Sequence, residues 1–80
     1  NMMFPATDGK VISLQILKNN TLEEHITKVP ALLVCVSGNA IYEDEKGIKA
    51  VLFSGDFVKI EPNVKHWVNG IESTNLLLIK

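Results

Sequence analysis

Apolar side chains in this chain come in short runs, most of which alternate with polar positions. In residues 11–17, VISLQIL, Ile12, Leu14 and Ile16 fall on one face of an extended strand, with Ser13 and Gln15 on the other. Residues 57–61, FVKIE, place Val58 with Ile60, and residues 65–69, KHWVN, place His66 with Val68 and Trp67 opposite. The runs 31–36, ALLVCV, and 74–79, TNLLLI, are apolar on both faces. Residues 40–44 and 48–53 flank the turn EKG and read as a hairpin. Turn formers separate the rest: DG at 8–9, NN at 19–20, SGN at 37–39, SGD at 54–56, EPN at 61–63 and NG at 69–70. The best helix candidate, NTLEEHITKV at 20–29, places its β-branched residues poorly and runs into Pro30. The pattern predicts an all-β domain, a small antiparallel sandwich or barrel of about seven or eight strands.

Eighty residues hold one domain, 1–80, with residues 1–9 as a flexible end or added residues and Met2 or Met3 as the native start. A chain this short buries only about 60% of its unfolded surface, so it has few loops with which to cover a second apolar face. The two runs that are apolar on both sides therefore predict a homodimer, packed through 31–36 or 74–79 with Trp67 at its edge. Eight basic residues, all lysine, balance nine acidic ones to a net charge of −1, and no basic stripe appears. Nucleic acid is excluded as a partner on that ground. The single cysteine, Cys35, cannot close an intramolecular disulfide. No apolar run approaches the ~20 residues of a membrane helix, and NMMFPATDGK lacks the pattern of a signal peptide. A cytoplasmic protein without membrane contact is the expectation.

Gly38 in VCVSGNAIYE, with Gly55, Pro62 and His66 in GDFVKIEPNVKHWV, resembles the two motifs of the cupin superfamily. The likeness runs over residues 10–80 and implies an RmlC-like jelly roll, a double-stranded β-helix. It also implies a site, because metal-binding cupins hold an ion with three histidines and a glutamate. With Gly38 as the closing glycine of the first motif, His25 and Thr27 stand at its two histidine positions and Ala31 at its glutamate. His66 stands at the histidine of the second motif; Glu61 is one residue extra before the proline, and Val64 replaces a common glycine. On this reading Gly55–Asp56 closes one hairpin, and Pro62 turns the chain so that His66 enters the barrel. Two imidazoles, His25 and His66, fall short of the three or four ligands of a stable divalent site. Glu23, in strand phase with His25, could complete a two-histidine, one-carboxylate set, and Cys35, in phase with Ala31, could supply a thiolate.

No Ser–His–acid arrangement, phosphate-binding glycine loop or spaced carboxylate pair is present, so the sequence assigns no reaction. The candidate ligand pocket comprises His25, Cys35, Tyr42 and His66. Each has a plainer reading: His66 as a satisfied core histidine, Cys35 as a small inert core residue, Tyr42 as an edge residue. The acidic run EDE at 43–45 reads as a solvated hairpin tip. Three functions follow. The first is a barrel that binds a small polar or aromatic ligand with no cofactor. The second is a metal-dependent cupin enzyme of the dioxygenase, isomerase or decarboxylase type, with a divalent metal on His25 and His66. The third is a structural or sensory dimer whose barrel is filled by side chains.

Overall fold

Eight strands form in chain order: β1 (Val11–Ile16), β2 (Thr21–His25), β3 (Ala31–Ser37), β4 (Asn39–Asp44), β5 (Lys49–Phe53), β6 (Phe57–Ile60), β7 (His66–Gly70) and β8 (Thr74–Ile79). The computed structural model describes residues 8–80, with the side chains of residues 23–25 outside that description. The expectations for residues 1–7 lie outside the described residues. The strands build two antiparallel four-stranded sheets, in the orders β1-β8-β3-β6 and β2-β7-β4-β5. The chain changes sheet at every connection except β4–β5, so the strands wind around one shared interior. No helix among the described residues is long and apolar enough to cross a membrane.

Period-two alternation decides which side chains meet. From the first sheet Ile16, Ala31, Leu33, Cys35, Ile60 and Leu76 point inward; from the second, Ala40, Tyr42, Leu52 and Val68 meet them as one buried cluster. β2 owes little to alternation. Its sequence, TLEEH, is mostly polar, and it is held by its ladder with β7, where Thr21 opposes Asn69, Leu22 opposes Val68 and His25 opposes His66. A hydrogen bond from Thr21 Oγ1 to Asn69 Oδ1 (2.6 Å) adds a side-chain link.

Three expectations need correction. The turn at Gly55–Asp56 does not close a hairpin: β5 pairs with β4 and β6 with β3, so this turn carries the chain across the interior. The acidic run at 43–45 is not simply a solvated tip. Asp44 keeps the inward phase of Ala40 and Tyr42, is buried, and accepts hydrogen bonds at Oδ1 from Lys46 N (2.9 Å) and Ile48 N (3.1 Å). Trp67 lies on the outer face of the second sheet, where Nε1 donates to Glu43 Oε2 (2.7 Å). It is therefore not at the edge of the 31–36 and 74–79 surface, which belongs to the first sheet.

The link between β3 and β4 is a single residue, Gly38, and it tolerates no side chain. Its φ is +89°, and a Cβ there would stand 2.3 Å from the Ser73 carbonyl oxygen. Gly47 has a similar φ of +90° but open space around it. Gly47→Ala should cost about 1 kcal/mol, from backbone strain alone. Gly38→Ala should cost about 3 kcal/mol or more, because overpacking adds to that strain. Urea unfolding of the two variants beside the parent protein measures the difference.

Candidate functional site

Several chain segments meet at one end of the sandwich. β2 stops at His25, opposite His66 at the start of β7. Residues 26–30 then cross to the other sheet and enter β3 at Ala31, next to the end of β8, where Leu32 opposes Ile79. The turn after β6 reaches the same end, since Asn63 N donates to Thr27 O at 2.7 Å. Asn63 holds φ +64°, in the left-handed region that asparagine tolerates, and so the chain reverses after Pro62 toward His66.

A cavity of about 300 Å³ lies between the sheets at this end. Ile12, Leu14, Leu33 and Leu78 bound it from the first sheet and Leu22 and Val68 from the second. Ile26, Thr27, His66 and Lys80 complete its wall. Its size is at the small end of the range for ligand pockets, and an aliphatic lining with a few polar groups is their usual composition.

Two of the polar groups are buried. His66 is 4% exposed; its Nδ1 lies 3.3 Å from Val64 O, and its ring stacks on Tyr42 with centroids 5.9 Å apart. Behind it, Tyr42 OH donates to Asp44 Oδ2 at 3.5 Å, and Asp44 is the cross-strand partner of His66. Burial, then the Asp44 charge and its hydrogen bond, then Glu61, push the Tyr42 phenol up to about 12. Thr27 is 5% exposed, and its Oγ1 has no hydrogen-bond partner among the described residues. A buried hydroxyl in that state costs the fold about 1–3 kcal/mol. It is the feature of this end that packing does not explain.

Of the residues singled out in the sequence, His66 faces the cavity. His25 is its ladder partner, but the side chains of His25 and Glu23 lie outside the described residues. Cys35 and Tyr42 do not line the cavity. Cys35 is in the core, with Sγ 3.7 Å from Ser37 O and 3.8 Å from Gly38 O, and burial followed by the Asp56 carboxylate pushes its thiol up. It lies four residues along β3 from Ala31, about 13 Å at the usual strand rise, and so toward the other end of the interior. Tyr42 instead backs His66. Thr27 and Lys80 are the polar lining residues that sequence reasoning did not place in the pocket; the signal for Lys80 was its phase with Leu76 and Leu78.

No protein-family model matches this sequence, and no curated protein sequence matches it. Solved structures do. A cupin superfamily protein of Desulfitobacterium hafniense superposes with a TM-score of 0.77 at 14% identity, over 99% of this chain and 82% of that one. The fold is that of the cupins. An RmlC-like cupin of Methanocaldococcus jannaschii, described as a double-stranded β-helix, gives 0.78 at 17% identity over 88% of this chain and 66% of that one. A conserved protein of unknown function from Streptococcus pyogenes gives 0.80 at 16% identity over 86% of this chain. This chain spans 60% of that streptococcal chain and 54% of the Drosophila melanogaster CENP-C cupin domain.

The metal set of metal-binding cupins does not fit the described residues. At the positions that the motif resemblance gives to a histidine and to the glutamate, Thr27 offers a neutral hydroxyl, and Ala31, fully buried opposite Ile60, offers no donor. No group of three or more His, Cys, Asp or Glu side chains that could hold an ion occurs among the described residues.

Removing the unpartnered hydroxyl should help the unliganded protein. Thr27→Val is expected to raise stability by about 1–2 kcal/mol, read from chemical denaturation. Tyr42 gives a pH signature. Its proton is held more tightly in the folded state, so the unfolded chain loses it first as pH rises above 10.0. The stabilisation is full below pH 10 and is lost as pH rises through about 12. Denaturation across that window should show a steeper decline for the parent protein than for Tyr42→Phe.

Proposed function

We propose that this cupin-fold chain is a binding module that takes one small, partly apolar molecule between its sheets without a metal. The observation that carries the reading is the buried Thr27 hydroxyl at the wall of a 300 Å³ aliphatic cavity. An apolar pocket gains orientation and specificity from a few polar groups, and a buried polar atom with no partner among the described residues is suited to one in a ligand. His66, held by Val64 and backed by Tyr42, is a second fixed polar group on the same wall. The cavity also favours this reading over a barrel filled by its own side chains. An enzyme built on His25 and His66 has less support, because Thr27 and Ala31 supply no ligand.

The test is a small panel of six-carbon and aromatic fragments (hexanoate, 1-hexanol, hexylamine, phenol) followed by amide and methyl shifts. At least one should move Thr27, Leu33 and Val68. Ile12→Phe, on the half-buried edge strand β1, should fill the cavity, keep cooperative unfolding and abolish those shifts. Fragments that bind equally well to the filled variant would rule the cavity out as their site.

We also propose a homodimer through the outer face of the first sheet. Its rows run Val11–Ile79–Leu32 and Leu77–Val34–Phe57 across the ladder, and Lys59 is the only charge among the outward residues of β1, β8, β3 and β6. Val11 is 64% and Phe57 45% exposed, which is apolar surface that an isologous partner would cover. Sedimentation at tens of micromolar, roughly the range of micromolar affinity, should give a dimer for the parent protein and a monomer for Leu77→Asp. A monomeric parent protein would remove the dimer and leave the cavity reading untouched.

A further inference from the structure

The cavity has a polar end and an apolar depth, and this follows from the topology. Thr27 lies in the crossing from β2 to β3, and His66 opens β7. Lys80 follows β8 in the inward phase of Leu76 and Leu78, beside the start of β3. All three therefore lie at the end of the sandwich where Asn63 N meets Thr27 O. Farther along the ladders the lining is aliphatic: Ile12 opposes Leu78, Leu14 opposes Leu76, and Leu22 opposes Val68.

The polar end also has a sign. Among the described lining residues none is acidic, while Lys80 brings an ammonium group and Thr27 a hydroxyl that can donate. An amine would meet like charge there. A sugar would place hydroxyls against the aliphatic depth, where no lining group could satisfy them. A carboxylate matches one hydroxyl and one ammonium with its two oxygens, through charge-assisted hydrogen bonds. The volume corresponds to about ten waters, which leaves room for a short chain of about six carbons.

We infer that the cavity binds a short aliphatic carboxylate, with its head group at the Thr27–Lys80 end and its chain along Leu14, Leu22 and Val68. The inference rests on the binding reading above and adds the chemical class of the ligand.

Titration of the whole chain with hexanoate, 1-hexanol and hexylamine, read by amide and methyl shifts, tests it. Hexanoate should bind at least about tenfold tighter than hexanol, the factor that one charge-assisted contact supplies. Thr27→Val, which should fold at least as well as the parent, is expected to weaken hexanoate by about tenfold. Lys80→Gln should weaken hexanoate by a similar factor of about ten and leave hexanol unchanged. Hexanol or hexylamine binding as tightly as hexanoate overturns the carboxylate while the cavity stands as a site. Equal losses for hexanoate and hexanol in Lys80→Gln overturn the role of the charge. No shift at Leu33 or Val68 with any of the three overturns the carboxylate, and the same silence with phenol overturns the binding reading itself.

Discussion

A backbone hydrogen bond, from Asn63 N to Thr27 O at 2.7 Å, joins the two connections on which the site depends. Residues 26–30 leave one sheet for the other, and the turn after Pro62 returns the chain in the opposite sense. Tying them together fixes where β3 begins and where β7 begins, and so places Thr27 and His66 at one end of one interior. Sheet crossings of this kind expose backbone polar groups that no ladder pairs, and such groups must find partners or water. Here they find each other, and the space that they span is left to side chains too short to fill it.

Much of the architecture was legible because strand phase is a strong signal when one face is buried. Ile12, Leu14 and Ile16 do face inward, as do Ile60, His66 and Val68, and the hairpin at EKG forms as the turn chemistry requires. The pairing of non-neighbouring strands was not legible. β5 and β6 look like a hairpin in the sequence, yet each finds its partner in a different sheet, a choice made by the interior as a whole.

The site was read less well, for chemical reasons. Thr27 registered only as a missing imidazole, whereas the structure shows a buried hydroxyl without a partner among the described residues, which no sequence pattern reports. Asp44 was grouped with its acidic neighbours, although its phase with Tyr42 already placed it inside. Cys35 and Tyr42 stand in the packed core, and strand phase alone does not tell a cavity wall from a packed core. The cupin fold accounts for the scaffold and names no reaction. At the positions that the motif resemblance assigns to a histidine and the glutamate of metal-binding cupins, this chain carries a threonine and an alanine, which turns attention from coordination to packing and a few polar contacts.

The central claim is that an open apolar space exists between the sheets beside His66. Xenon measures this most directly, since it enters dry apolar cavities and has no affinity for a closed core. Under a few atmospheres of xenon, methyl resonances of Leu14, Leu33, Leu78 and Val68 should shift in a saturable way while those of core residues such as Leu52 and Leu76 stay in place. Unmoved methyls at all four positions would mean that the interior is closed in solution, and the account of this chain as a binding module would be contradicted.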